Sequence, residues 1–220
     1  MALRGFGFVD THSLPSAPYR AATLDCDGIS WVTTGDFSAR ARHHCAAVFA
    51  TNVALYFAAQ GYGRLIVDDS AEATFAQMHR LIGNGPVVRV AQPLRGYFAR
   101  RGYSLHYRSL RGLADVKRAI VAHHPVGLLL VDHPFSWHWV LGVGWRSYVT
   151  DSDMKPISLN VDTSVKASEV NIAQSFGPTD SLDYIRIVDG WNATAERYYQ
   201  PHHGSWWFSG THYWVTSLPL

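Results

Sequence analysis

The order of apolar and polar positions divides the chain into two textures. From Cys45 to Ala59 the run CAAVFATNVALYFAA holds no Pro or Gly and is mostly Ala, Val, Leu and Phe, which predicts a helix buried on most of its surface. Gly61 and Gly63 supply its stop. A second helix is predicted over residues 71–82, AEATFAQMHRLI, with Asp69 and Ser70 as capping candidates and GNGP closing it. Two more are predicted near VAQPLRGYFARRG and SLRGLADVKRAIVAHH, so the first half reads as helical. After Pro125 the period shifts toward two: VGLLLVDH, SWHWVLGVGW, RSYVTD, DYIRIVDGW, ERYYQ and HYWVTSL read as strands. Residues 1–40 read as loops with one or two edge strands, ISWVT among the alternating runs, and the polar stretch from Met154 to Asp183 reads as long loops with one short strand. Helices first and a mostly antiparallel sheet afterwards define an α+β class, and with no repeat or low-complexity linker the expectation is a single domain, helical over about residues 40–124 and sheet over about 125–220.

Composition narrows the function classes. A 47% hydrophobic content is enough for a sizeable core, and 19 basic against 17 acidic residues give a formal charge of only +2, without the excess of a nucleic-acid sleeve. The basic stretch from Arg95 to Arg101 is short and reads as a solvated helix end. No apolar run has the length of a signal peptide or a membrane span, which gives a soluble, cytoplasmic expectation with no membrane partner. Two cysteines, Cys26 and Cys45, form neither a disulfide framework nor a Cys-x-x-Cys pattern, although one bridge between them stays open. The histidines at 43–44, 123–124, 133, 138 and 202–203 lack the spacing of familiar zinc sites, so no metal and no cofactor is expected. Seven of the eight tryptophans lie in the second half and, with the eleven tyrosines, can build either core or cleft walls.

Two positions carry chemistry. Cys45 opens the buried helix, where unpaired backbone N–H groups and the helix dipole favour a thiolate and can also hold an oxyanion. Asn52, two turns later and near the same face, is buried and needs partners, so it is expected to fasten the helix to a neighbouring loop. In SWHWVLGVGW, alternation puts Trp137, Trp139, Leu141, Val143 and Trp145 on one face and His138, Val140, Gly142 and Gly144 on the other. The two glycines narrow the second face for a close helix or backbone, placing His138 where it could face the Cys45 helix as base in a thiolate–imidazolium pair. Asp189 in YIRIVDGWN is the preferred orienting group, its carboxylate accepting Nδ1–H of His138 with Trp191 as a shield; Asp151 or Asp153 are the alternatives.

Taken in order, these stretches resemble the C39-like bacterial cysteine peptidases of the papain-like superfamily. HHCAAVFATNVALYFAAQGYG is similar to the Cys-Gly-Pro-Thr-Ala-x-x-Asn segment of that family's nucleophile helix, with Cys45 and Asn52 on its polar anchors and Ala46 to Phe49 departing between them. His138 falls on the histidine of its His-x-Val-x-x-Val-Gly-Tyr strand and Asp189 on the Asp or Asn of its last catalytic strand. The resemblance covers about residues 30–200 and implies a papain-like fold, the nucleophile helix packed on the sheet, and cleavage of a peptide or protein substrate through a thioester. A related acyl-transferase or deamidase, or a catalytically inactive peptide-binding module, uses the same frame. The oxyanion-donating Gln of papain-like enzymes is replaced by Ala39; Ser38, Arg40, Arg42 or His43 are the substitutes available, and one missing donor costs about 2.7–4 kcal/mol of transition-state stabilisation.

Overall fold

In the computed structural model, residues 6–39, 42–85, 87–134, 136–148, 182–201 and 205–217 are described. Their elements run β1 (Phe8–Asp10), β2 (Tyr19–Thr23), α1 (Cys45–Ala59), α2 (Ala71–Ile82), α3 (Ala91–Arg100), β3 (Tyr103–Ser109), α4 (Leu113–Val121), β4 (Val126–His133), β5 (Ser136–Tyr148), β6 (Leu182–Val188), β7 (Arg197–Tyr199) and β8 (Trp206–Ser217). This is a mixed α+β fold in which a helical segment packs against an antiparallel sheet of order β1-β7-β6-β5-β4-β8-β3, with β2 added along β5.

The helices start and stop for local reasons. Residues from Ala46 to Ala54 are buried all round α1, as an Ala-rich run with no charge allows, and Gly61 at φ 99° lets the chain leave. Ser70 Oγ accepts the Ala73 N–H at 3.2 Å to cap α2, and Gly83 at φ 83° ends it. Phe49 of α1 lies stacked on Trp139 with ring centres 5.0 Å apart, and a methyl group on Gly127 would come 2.5 Å from the Phe49 ring. That glycine lets helix and sheet approach closely.

Several expectations change. The first half is not wholly helical, because β3 lies within it and α4 begins only at Leu113. ISWVT forms a loop, while β1 and β2 supply the early strands. RSYVTD is no separate strand: its start continues β5 through Tyr148, and Asp151, Asp153 and most of the polar stretch lie outside the described residues. α1 meets β5 through Phe49, which stacks on Trp139, and not through the two glycines. Gly142 and Gly144 instead admit neighbouring strands, since a Cβ on Gly144 would stand 2.9 Å from the Ala22 carbonyl of β2 and one on Gly142 3.3 Å from Ile185 of β6.

Candidate active site

β6 pairs with β5 only from Leu141 onward, so the stretch of β5 that carries His138 and Trp139 has no β6 residue beside it. The first turn of α1 comes in there. Burial pushes the Cys45 thiol pKa up, while the backbone N–H groups of Trp139, Ala46 and Cys45 itself pull it the other way. The helix start does favour the thiolate, as the sequence implied, but desolvation outweighs it: the resting sulfur is a thiol.

His138 is 3% exposed. Its ring is stacked on Trp191 at 3.8 Å and 13°, with Phe6 and Phe8 closing on it at 5.7 and 6.4 Å. Burial among these rings lowers its pKa to about 4, against the opposing pull of the Asp189 carbonyl and charge. Nε2 stands 2.6 Å from the main-chain oxygen of Asp189. A carbonyl only accepts, so in the neutral ring Nε2 carries the proton and Nδ1 keeps the lone pair a base requires.

Asp189 therefore meets His138 differently from the sequence expectation. Its fully buried carboxylate accepts from the N–H groups of Trp191 and Asn192 at 2.9 and 2.8 Å, from Asn192 Nδ2 at 2.8 Å and from Arg197 Nη1 at 3.0 Å. The carboxylate shapes the turn that places Trp191 on the imidazole, and the main-chain carbonyl holds the ring. Gly190, at φ 69°, completes the turn and accepts from Thr34 N–H at 2.8 Å.

Cys45 and His138 line the same cleft of about 810 Å³, with Thr34, His43, Val87, Trp137 and Trp191 among its other walls. No hydrogen bond joins the sulfur to the imidazole among the described residues. Asn52 fastens α1 as expected: Oδ1 accepts Val32 N–H and Nδ2 donates to Val32 O, both at 3.0 Å, which fixes the loop that delivers Thr34. Of the substitutes for the missing Gln, His43 reaches the cleft at a left-handed φ of 55°, whereas Ser38 and Arg42 are exposed and do not line it, and Arg40 lies outside the described residues. Thr34, Gly85, Val87 and Val88 escaped the sequence reading, because only folding brings them near Cys45: Gly85 N–H donates to His43 O at 2.8 Å and Trp139 Nε1 to Val87 O at 2.7 Å.

Both cysteines are free, and burial pushes the Cys26 thiol to about 11. Among the described residues no group of three His, Cys, Asp or Glu side chains could hold a metal ion, and no helix is long and apolar enough to cross a membrane. Comparison with protein-family models and with curated proteins gives no match.

Proposed function

We propose that the chain is a cysteine-dependent hydrolase of peptide-like amide bonds, a papain-like enzyme of the C39-like kind, with Cys45 as nucleophile, His138 as base and Asp189 as the residue that orients it. The observation that carries this reading is the convergence of the Cys45 helix start and a buried, Nδ1-unprotonated His138 on one cleft. Cys45 Sγ attacks the amide carbonyl carbon while His138 Nδ1 takes the thiol proton, and the carbonyl π electrons move onto oxygen. The imidazolium hands that proton to the departing amine nitrogen as the C–N bond breaks, leaving a thioester. Water then attacks the thioester carbon, His138 accepts its proton and returns it to the sulfur, and the carboxylic acid leaves. Because both resting groups are neutral, proton transfer belongs to the attack itself, and the sulfur–imidazole contact closes when substrate fills the cleft. The neutral pair and Ala39 also favour a second reading, a papain-like module that binds peptides without cutting them.

Incubating wild type and Cys45→Ala with a diverse peptide library, followed by mass spectrometry, tests the proposal. Cleavage by the wild type alone is expected. A one-dalton gain without cleavage identifies a deamidase, and unchanged peptides bound equally by both proteins favour the binding module.

A further inference from the structure

The basic stretch at the end of α3 is not a freely solvated helix end. Arg101 Nη1 donates to the Arg64 carbonyl at 2.9 Å and Nη2 to Gln77 Oε1 at 2.8 Å, and the guanidinium lies 4.6 Å over the Tyr97 ring. Arg64 is fixed beside it. Its Nε donates to Tyr103 Oη at 3.3 Å, its guanidinium lies 4.9 Å over the Tyr103 ring, and Nη2 sits 3.0 Å from where a Gly102 side chain would begin. Gly102, at φ 79°, leaves the room that a side chain would take from this guanidinium. Arg100 joins them around a hollow of about 670 Å³ that also takes in Ile66, Asp68, Gln77 and Tyr97.

Three arginines thus line one hollow with a single acidic residue, Asp68, and among the described residues none of the three is ion-paired. Like charges held together repel unless an anion intervenes. Among the described residues only Nε of Arg64 is bonded, which leaves both Nη groups for a ligand. Stacking on Tyr97 and Tyr103 holds two of the forks in place beforehand, so less side-chain freedom is lost on binding. We propose that this hollow is a binding site for a phosphate group, a tetrahedral dianion whose three or four oxygens match several guanidinium forks at once, where a monovalent carboxylate matches one. The site stands on its own residues and is independent of the chemistry assigned to Cys45.

The test is a titration of wild type, Arg64→Gln and Arg100→Gln with inorganic phosphate, with phenyl phosphate and with acetate, at ionic strength held constant by chloride. Binding is read by calorimetry and by the thermal midpoint, which rises with any ligand that binds the folded state alone. A saturable response to phosphate but not to acetate is expected, weakened about tenfold or more in each Gln variant, the loss that goes with one charge-assisted hydrogen bond. Stronger binding of phenyl phosphate assigns the site to phosphomonoesters, and stronger binding of inorganic phosphate assigns it to the free ion. Arg100 is exposed and among the described residues makes no side-chain hydrogen bond or ion pair, so Arg100→Gln keeps the test decisive if Arg64→Gln fails to fold. No saturable response above chloride, or a response undiminished in a folded Gln variant, overturns the site. Cys45→Ala binds phosphate like the wild type.

Discussion

The proton inventory of two side chains sets the pH behaviour. His138 has a folded pKa of about 4 against 6.5 in the open chain. Between those values the unfolded chain binds the proton and the folded one does not, so stability falls as pH drops from 6.5 and the loss is complete near 4. The shift corresponds to about 3 kcal/mol. Urea midpoints measured from pH 7 to 4 are expected to show this loss in the wild type and a flatter profile in His138→Gln; identical profiles would remove His138 as the buried base. Cys45 moves the opposite way in reactivity. With its thiol pKa raised, alkylation by iodoacetamide, followed by peptide mass mapping, is expected to stay slow at neutral pH and climb through the alkaline range. A rate already level from pH 5 upward would reveal a preformed thiolate and sink the neutral-pair mechanism. That Cys45 opens a helix and His138 sits on a strand was legible in the sequence, and the structure puts both on one cleft. The atom of Asp189 that touches the ring was not, because the direction of a main-chain carbonyl depends on a turn closed by Arg197 and Thr34, both remote from His138 in sequence.

Elements were legible wherever burial was one-sided or complete. α1 and α2 fall at the positions their patterns and caps dictate, and β4 and β5 follow their apolar runs. β3 was missed because it is an end strand: Tyr103 and Leu105 are buried, but Arg108 and Ser109 are exposed, so its alternation fades before it can be told from the helices on either side. What the two glycines of β5 admit was not legible for a related reason. Glycines at 142 and 144 announce a close approach without saying by what, and the glycine that admits α1 is Gly127, on the neighbouring strand. Asn52 is the element-scale contact the sequence did anticipate. Replacing it with alanine leaves the buried Val32 N–H and C=O without their partners, which costs about 2–4 kcal/mol. Chemical denaturation of Asn52→Ala checks that figure, and a loss below about 0.5 kcal/mol would mean that water replaces both bonds.

At the scale of the molecule, the candidate site is closed by a contact between distant parts of the chain that no local pattern could announce. β1 pairs with β7 at the end of the sheet, and its neighbour Phe6 and its own Phe8 cover His138. Arg197 ties this segment to the turn at Asp189, since Nε donates to Asp10 at 3.1 Å and Nη1 to Asp189 at 3.0 Å. The two ends of that bridge are energetically unequal. Asp10 is 52% exposed, and an ion pair in that setting contributes about 0–1 kcal/mol, whereas Asp189 is fully buried, and stripping a buried carboxylate of its cation costs about 3–5 kcal/mol. Arg197 itself is 23% exposed, which puts the expected cost of Arg197→Gln toward the lower end of that range. Asp10→Asn is therefore expected to leave the urea midpoint nearly unchanged, while Arg197→Gln lowers it by the equivalent of about 3 kcal/mol. Equal small losses in both variants would show that the Trp191 and Asn192 donors suffice for the Asp189 carboxylate, and that the chain start covers His138 without being electrostatically tied to the turn that holds it.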